Sequence, residues 1–297
     1  MKKNFSYAVI VVTHHPDISL LKNIIDTVKD QELIIIDNNS RNIEEIKKLA
    51  LPRIVNDRNL GLAHAQNQAI GIAAQEKFDA LIFFDQDSKI CKSMIDNLIT
   101  DFESLQSVKI AAIGPTLKSK SNDGYLYPHI LISRKGLLHK KALSPQLDPV
   151  KVSIIISSGM LIKMSAMMDI GTMDEDLFID FVDTEWCLRA LSKGYSIYQS
   201  KNSTLLHDIG EDCITIANIK IPIHSPERRY YRIRNPLILI KKSHIPKLLV
   251  IREIITFIIH QSIIVTTQKN RTQYLYHGAR GLADGIIYAA KRRNKTL

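Results

Sequence analysis

The sequence predicts an α/β protein, a mostly parallel β-sheet covered by helices and followed by a helical C-terminal appendage. Three observations carry that expectation. Short apolar, β-branched runs recur: YAVIVVT (7–13), LIIID (33–37), RIVN (53–56), ALIFFD (80–85), IAAIG (110–114) and VSIIISSGMLI (152–162). They are near-continuous rather than alternating, as strands buried on both faces require. Helix-period segments at 17–29, 41–50, 61–76 and 93–106 fall between the early runs, the strand–helix alternation of a parallel sheet. Charge is also divided: residues 220–297 hold 16 Lys+Arg against 3 Asp+Glu, whereas residues 1–219 hold 24 against 27. The expected domains are therefore 1–225 and a basic helical region, 226–297.

The 297 residues are 45% hydrophobic and 24% charged, the balance of an ordinary folded protein with room for a sizeable core. Cys91, Cys187 and Cys213 have no CxxC spacing, which argues against a disulfide framework or a cysteine zinc site and fits a reducing compartment. The first apolar run is too short for a signal-peptide core and reads as the first strand. Residues 115–150, with Pro115, Pro128, Pro145 and Pro149, read as a long irregular connection. The basic tail suits a polyanion, either nucleic acid or an anionic membrane. No helix-turn-helix, zinc finger or aromatic RNA-binding signature accompanies it, so nucleic acid is not expected as a partner.

Ligands of open α/β sheets bind beyond the carboxyl ends of the strands. Polar residues collect there: Thr13-His14-His15, Asp37-Asn38-Asn39-Ser40, Asn56 to Gly61, and Asp85-Gln86-Asp87-Ser88. Any one of these is an ordinary Asx-rich loop; four on one edge make a site. Asp85 and Asp87 would share a side if the chain stays extended, and their repulsion is relieved by a divalent cation. Mg²⁺ or Mn²⁺ takes one or two carboxylates and fills its remaining positions with phosphate oxygens. The alternative is that Asp87 or Ser88 caps the helix near 93–106. A nucleotidyltransferase would also use an aspartate pair, but its Gly-rich loop is replaced here by Thr13-His14-His15-Pro16-Asp17.

In this order the motifs resemble glycosyltransferase family 2, nucleotide-sugar-dependent enzymes of the GT-A fold. VIVVTHHPD matches the family's opening strand and loop, IIIDNNS its base-contacting aspartate at Asp37, and Asn59-x-Gly61-x-x-x-Ala65-x-Asn67 its N-x-G-x-x-x-A-x-N segment. Asp85-Gln86-Asp87 matches the metal-binding D-x-D, and Ser157-Ser158-Gly159 the small-residue turn on the acceptor side. LFIDFVDTEWCLRALSKGY (177–195) resembles the segment carrying the catalytic base. That register implies Asp183 as base, Glu185 as second acid and Arg189 as the trailing arginine. Val182 departs from the family's glutamate, with Asp180 nearby as a substitute charge. The same acidic run also suits the first turn of a helix with Trp186, Leu188 and Leu191 packed inward.

The resemblance implies donor contacts from Thr13, His15, Asp37, Asn39, Asn59, Gly61, Asn67, Asp85, Gln86, Arg229 and Arg234. It implies acceptor contacts from Ser158, Gly159, Glu185 and Trp186, and metal ligands in Asp85, Asp87 and His207. FFDQDS and FIDFVDTEWCLRA are similar to the bacterial rhamnosyltransferase branch. That implies inverting transfer from dTDP-L-rhamnose to a lipid-linked saccharide in O-antigen or related polysaccharide synthesis. A UDP-sugar donor, or sugar-nucleotide binding without turnover, are the alternatives.

Residues 246–268 are apolar but interrupted by Arg252, Glu253 and His260, which disfavours a spanning helix. They fit a helix lying on an anionic membrane or packed against the body, with Lys291-Arg292-Arg293-Asn294-Lys295 adding lipid attraction. The expected location is the cytoplasmic face of the bacterial inner membrane.

Overall fold

The computed structural model describes residues 5–105, 109–119, 125–142, 148–207, 212–216 and 219–291. They fall into two compact units. The first takes in residues up to Leu131, Lys140–Phe178 and Val182–His207; the second takes in Ile132–His139, Ile179–Phe181 and the chain from Asp208 onward.

The first unit begins with the expected alternation: β1 (Tyr7–Thr13), α1 (Ile18–Thr27), β2 (Glu32–Asp37), α2 (Ile43–Leu49), β3 (Ile54–Val55), α3 (Leu62–Gln75), β4 (Ala80–Asp85), α4 (Lys92–Ser104) and β5 (Ile110–Lys118). Two short strands, β6 (His129–Ile132) and β7 (Leu138–Lys141), form their own small sheet. Then come β8 (Val150–Val152), β9 (Met160–Lys163), α5 (Met164–Ile170), α6 (Val182–Ser192) and β10 (Ser196–Leu206). The main sheet has eight strands in the order β3-β2-β1-β4-β9-β5-β10-β8. β1, β2, β3 and β4 run parallel, as do β5 and β10, while β9 is antiparallel to both β4 and β5. The carboxyl ends of β1, β2, β4, β5 and β10 therefore share one edge.

Burial explains the continuous apolar runs. Val9, Val11, Ile82 and Phe84 share a core cluster with Leu21 and Ile24 of α1 and Leu98 and Phe102 of α4. The alternate residues Ala8, Ile10, Leu81 and Phe83 are buried as well. Each of the Val, Leu, Ile and Phe side chains among them contributes about 1.5–3 kcal/mol of transfer free energy.

Two stretches differ from the sequence expectation. VSIIISSGMLI is not one strand: β8 ends at Val152, and the chain turns at Ser157-Ser158-Gly159 before β9 begins. Gly159 has φ 79°, and a Cβ there would lie 2.6 Å from Pro115 Cγ, so only glycine fits. The connection after 115 is more regular than proline content suggests, because β5 runs through Pro115 to Lys118. Pro115 lies where the β5–β10 register shifts between Gln199 and Thr204, a place where a missing N–H costs no ladder bond.

The second unit contains a hairpin, β11 (Asp212–Ile216) and β12 (Ile219–Ile223), and three helices, α7 (Pro226–Leu239), α8 (Lys247–Thr267) and α9 (Arg271–Ala290). Ser225 caps α7, accepting from the Arg228 amide at 3.3 Å, with Pro226 at the first helical position. α9 lies close on α7: a Cβ on Gly281 would sit 2.5 Å from the Tyr230 carbonyl oxygen. The basic run beyond Lys291 lies outside the described residues.

Candidate functional site

At the shared strand edge, polar side chains interlock. Asp37, last residue of β2, is fully buried; its Oδ2 accepts from Thr13 Oγ1 at 2.8 Å and its Oδ1 from the Ser40 amide at 2.9 Å. Asn38 donates to the Gly61 carbonyl at 3.0 Å and accepts from Asn56 Nδ2 at 2.9 Å and the Leu60 amide at 3.2 Å. Asn56 and Gln68 complete the network with a reciprocal amide pair. Asn38 and Asn56 belong to the strand-end clusters read from sequence but were not expected among the donor contacts, and Gln68 was not singled out at all. Asn39, which was, is exposed with φ 68°, a conformation asparagine tolerates.

The next loops are fixed in the same way. Asn59 Oδ1 accepts from the Gly61 amide at 2.9 Å, an Asx turn leading into α3. Gly61 has φ 91°, and a Cβ there would meet the Phe178 ring at 2.6 Å. Asn67 is taken up by the Met173 backbone on both sides (2.8 and 3.0 Å) and by Glu175 at 2.8 Å, so it positions the loop before α6. His15 is exposed with φ 52°; its Nδ1 accepts from the Arg41 amide at 2.9 Å. Desolvation and neighbouring His14 and Arg41 lower its pKa.

β4 ends at Asp85, and the chain turns at once, the Ser88 amide donating to the Asp85 carbonyl at 3.0 Å. The extended geometry assumed for the two aspartates is therefore absent: Gln86 and Asp87 occupy the turn, with Asp87 exposed. Gln86 bonds both sides of the His14 peptide, accepting from its N–H at 2.7 Å and donating to its carbonyl at 3.2 Å. Ser158, fully buried, shares a 2.6 Å hydrogen bond with Ser88 and accepts from the Asp85 amide at 3.4 Å. Gln86 and Ser158 thus brace the turn from two sides. Lys89 forms a bridge with Leu206, which brings His207, just past β10, beside the same turn. The His207 amide donates to Lys118 at 2.9 Å.

Among the described residues, no three His, Cys, Asp or Glu side chains gather into a complete metal cage. The donor set still fits a hard divalent cation that keeps positions open for phosphate, since Mg²⁺ and Mn²⁺ are commonly held by one or two carboxylates. Asp85 and Asp87 are the residues that would hold it, with His207 alongside.

Asp183 lies half-buried in the first turn of α6. Its Oδ1 accepts from the Thr184 amide at 2.6 Å and its Oδ2 from the Ser157 amide at 3.1 Å. Two backbone donors thereby fix the carboxylate's orientation. The acceptor roles expected of Glu185 and Trp186 do not fit their positions. Glu185 is 1% exposed and both its oxygens are taken by Arg189, at 3.1 and 2.9 Å. Trp186 is 0% exposed, its indole N–H donating to the Gly171 carbonyl at 2.9 Å. Helical rotation turns both into the core while Asp183 stays at the rim.

In the second unit, one of the two arginines expected on the donor is enclosed. Arg229 is 1% exposed, donating to Gln261 at 3.1 Å and the Phe257 carbonyl at 3.3 Å, and burial lowers its pKa to about 10. A group so enclosed is not available to a diphosphate. Arg234 stacks over Tyr230 and Tyr231 and donates to Asn235 at 3.0 Å. Asp180 does not replace the glutamate missing at Val182: its carboxylate accepts from Arg228 at 3.0 and 3.2 Å and from Arg232 at 3.5 Å.

The sequence matches the glycosyl transferase family 2 domain over residues 8–171. It is also 37% identical over 290 residues to dTDP-rhamnosyl transferase RfbF of Shigella flexneri, covering 95% of this chain and 96% of that one. The chain belongs to glycosyltransferase family 2. Among solved structures it is similar to GalNAc-T7 with UDP, GalNAc and Mn²⁺ (TM-score 0.55, 15% identity, 91% of this chain and 59% of that chain). It is similar too to Staphylococcus aureus TarS (TM-score 0.53, 14% identity, 97% and 50%) and to TarS 1–349 with UDP-GlcNAc (0.52, 14%, 96% and 81%). At these identities the likeness is one of fold. This glycosyltransferase spans only about half to three-fifths of the GalNAc-T7 chain and of the longer TarS chain. The strand edge of its GT-A sheet, with the Asp85 turn and Asp183, is the candidate active site.

Proposed function

We propose that this glycosyltransferase moves L-rhamnose from dTDP-L-rhamnose to a hydroxyl of a lipid-linked saccharide, with inversion, in O-antigen or related polysaccharide synthesis. The observation that carries it is the near full-length similarity to dTDP-rhamnosyl transferase RfbF. The thymidine and ribose would lie along the carboxyl edge, against His15 and the loop ending at Gly61, with Thr13 and Asp37, buried and bonded to each other, bracing that edge from beneath. Asp85 and Asp87 would hold Mg²⁺ or Mn²⁺ against the diphosphate, where such an ion supplies Lewis-acid stabilisation of the leaving group. Asp183 takes the proton from the attacking hydroxyl. Its carboxylate is already oriented by Ser157 and Thr184, and a positioned base of this kind contributes about 10²–10⁴-fold. One base and one displacement invert the anomeric centre.

Thermal shift tests the donor, because a ligand bound only by the native state raises the melting temperature by mass action, about 2.7 kcal/mol at a hundredfold excess over Kd. With Mn²⁺ present, dTDP-L-rhamnose raises it by several degrees and more than any UDP-sugar. A larger response to a UDP-sugar would reassign the donor.

A lipid-linked acceptor would be met at the cytoplasmic face of the inner membrane, the proposed place of action. Supporting this, α8 is long and apolar enough to cross a bilayer, with mean hydropathy 1.9, yet Ile251, Ile255, Ile258 and Ile259 lie exposed along it. Leu275, Leu282 and Ile286 do the same on α9. Exposed apolar rows with basic neighbours such as Lys247 and Arg252 suit a helix at the interface of an anionic leaflet. Flotation with anionic liposomes carries the wild-type protein upward, and the triple change Ile255→Glu, Ile258→Glu, Ile259→Glu abolishes it. Unaltered flotation of that variant would contradict membrane attachment through this face.

A further inference from the structure

The segment Ser133-Arg134-Lys135-Gly136-Leu137 joins β6 to β7 and is not used by the function proposed above. It is a closed turn. The Ser133 amide donates to the Leu137 carbonyl at 2.9 Å, the Gly136 amide to the Ser133 carbonyl at 2.8 Å, and the Leu137 amide to Ser133 Oγ at 3.0 Å. Arg134, Lys135 and Gly136 form a three-residue loop, whose last position commonly takes positive φ; Gly136 has φ 92°. The tip, Ile132–His139, belongs to the second unit, and within that unit it has a seat. A Cβ on Gly136 would lie 2.8 Å from Pro246 Cβ and 2.9 Å from the Leu249 amide nitrogen, so the turn backbone rests directly on the start of α8.

While Gly136 is buried in that seat, its neighbours stand outside it. Arg134 and Lys135 are exposed, and Leu137 is 50% exposed. On α8, Leu248 and Ile251 are exposed as well, with Lys247 and Arg252 beside them. Residues 248, 251, 255 and 258 recur at helical spacing, so the turn sits at the N-terminal end of the exposed aliphatic row. The tip sequence ISRKGLLH holds two basic residues and no acidic one. An aliphatic patch rimmed by cations fits a surface that offers both hydrocarbon and negative charge, which an anionic bilayer does. A nucleic acid would meet the cations and leave the leucines and isoleucines in water.

We propose that the 133–137 turn is a second lipid-contacting element of this protein. Arg134 and Lys135 meet the phosphates of anionic phospholipid headgroups, and Leu137 enters the acyl boundary at the end of the α8 row. This role rests on the membrane attachment through α8 and adds selectivity for anionic lipid to it. On α8 itself Arg252 is paired with Glu253 at 2.5 Å, which offsets its charge, whereas the turn brings two cations on a backbone already fixed in place. A basic residue near an anionic surface strengthens binding by about fivefold.

The test measures partitioning of the full chain onto vesicles of phosphatidylcholine mixed with phosphatidylglycerol and onto vesicles of phosphatidylcholine alone. The double change Arg134→Gln, Lys135→Gln weakens partitioning onto the anionic vesicles by about 10–30-fold and alters that onto neutral vesicles by less than about twofold. Leu137→Ser weakens both by about 3–10-fold. All three positions are exposed, so the melting temperature stays that of wild type. A fluorescent reporter gives a second reading. The chain's single tryptophan, Trp186, is buried, so the emission that Leu137→Trp adds comes from the turn. On anionic vesicles that emission moves to shorter wavelength and is quenched by lipids brominated on the acyl chain. Wild type bound to anionic vesicles, with the turn variants bound equally well or the residue-137 emission unmoved, would overturn the turn's role and leave attachment through α8 standing. Wild type bound to neither vesicle would remove the attachment and the turn's role with it.

Discussion

In the first unit the interior is aliphatic and the polar side chains collect at one edge of the sheet, where Asp37, Asn38, Gln86 and Ser158 satisfy one another. In the second, Asp180, Arg229, Arg232 and Asn235 are enclosed among the helices while isoleucines of α8 lie outward, Ile258 being 62% exposed. The first arrangement is that of a water-soluble domain with a ligand edge. The second draws its cohesion from charged and amide groups as well as from apolar burial, and spends much of its aliphatic surface outside. That inversion is what the proposed membrane attachment of the outer face requires. It also means that a charge removed from either unit has a different consequence depending on whether it braces the core or faces the substrate.

The largest expected stability effect sharpens that distinction at Glu185. Breaking a buried pair by removing one partner leaves the other charge uncompensated, at about 3–5 kcal/mol. Glu185→Gln should therefore lower the urea midpoint steeply while leaving the acceptor KM of the remaining folded enzyme unchanged; a raised KM without loss of stability would return Glu185 to the acceptor site. Gly61→Ala comes next. It forces an alanine to φ 91° with its Cβ against Phe178, at an expected cost of about 2–4 kcal/mol, read as a fall in melting temperature.

The smallest effect is a pH dependence in the second unit. Burial and the charges of Arg232 and Arg228 push the His224 pKa down to about 3 from its ordinary 6.5. Between those values the unfolded chain binds a proton that the folded protein does not, so stability falls as pH drops below about 6.5. Allowing for the solvated part of the ring, this contributes about 0.5–1 kcal/mol per pH unit. His15 and His260 are shifted the same way, so the difference between wild type and His224→Gln isolates the His224 share. At Asp180 burial opposes ionisation, but Arg228 and Arg232 hold its carboxyl below the usual carboxylate range, so its ion pair persists throughout this window and is lost only in stronger acid. Parallel slopes for the two proteins between pH 7 and 5 would show that His224 is not enclosed as described.

Much of the first unit was legible because its physics is local. YAVIVVT, LIIID and ALIFFD became β1, β2 and β4, and the helices between them begin and end within two residues of the periodic segments. The strand-end polar clusters were legible for the same reason, since a side chain at the end of a buried strand must stand at the sheet edge. Which of two neighbours turns inward was not. Asn38 is buried and Asn39 exposed because the chain enters a positive-φ turn that tertiary contacts to Asn56 and Leu60 select. Trp186 and Glu185 show the same limit, as proximity to Asp183 in sequence says nothing of which helix face is covered. The role of Arg229 was hidden by its partners, Gln261 and Phe257, which lie some thirty residues away on α8. The division of VSIIISSGMLI was signalled by Ser-Ser-Gly, but its cause, Pro115 packed against Gly159, comes from another strand.

The most direct measurement is a single-turnover transfer assay with radiolabelled dTDP-L-rhamnose, Mn²⁺ and a lipid-linked acceptor, comparing wild type with Asp183→Asn. The account predicts labelled saccharide of inverted anomeric configuration from wild type, and a rate lower by about 10²–10⁴-fold for the variant, with dTDP binding and melting temperature unchanged. An Asp183→Asn enzyme that transfers rhamnose as fast as wild type would contradict it.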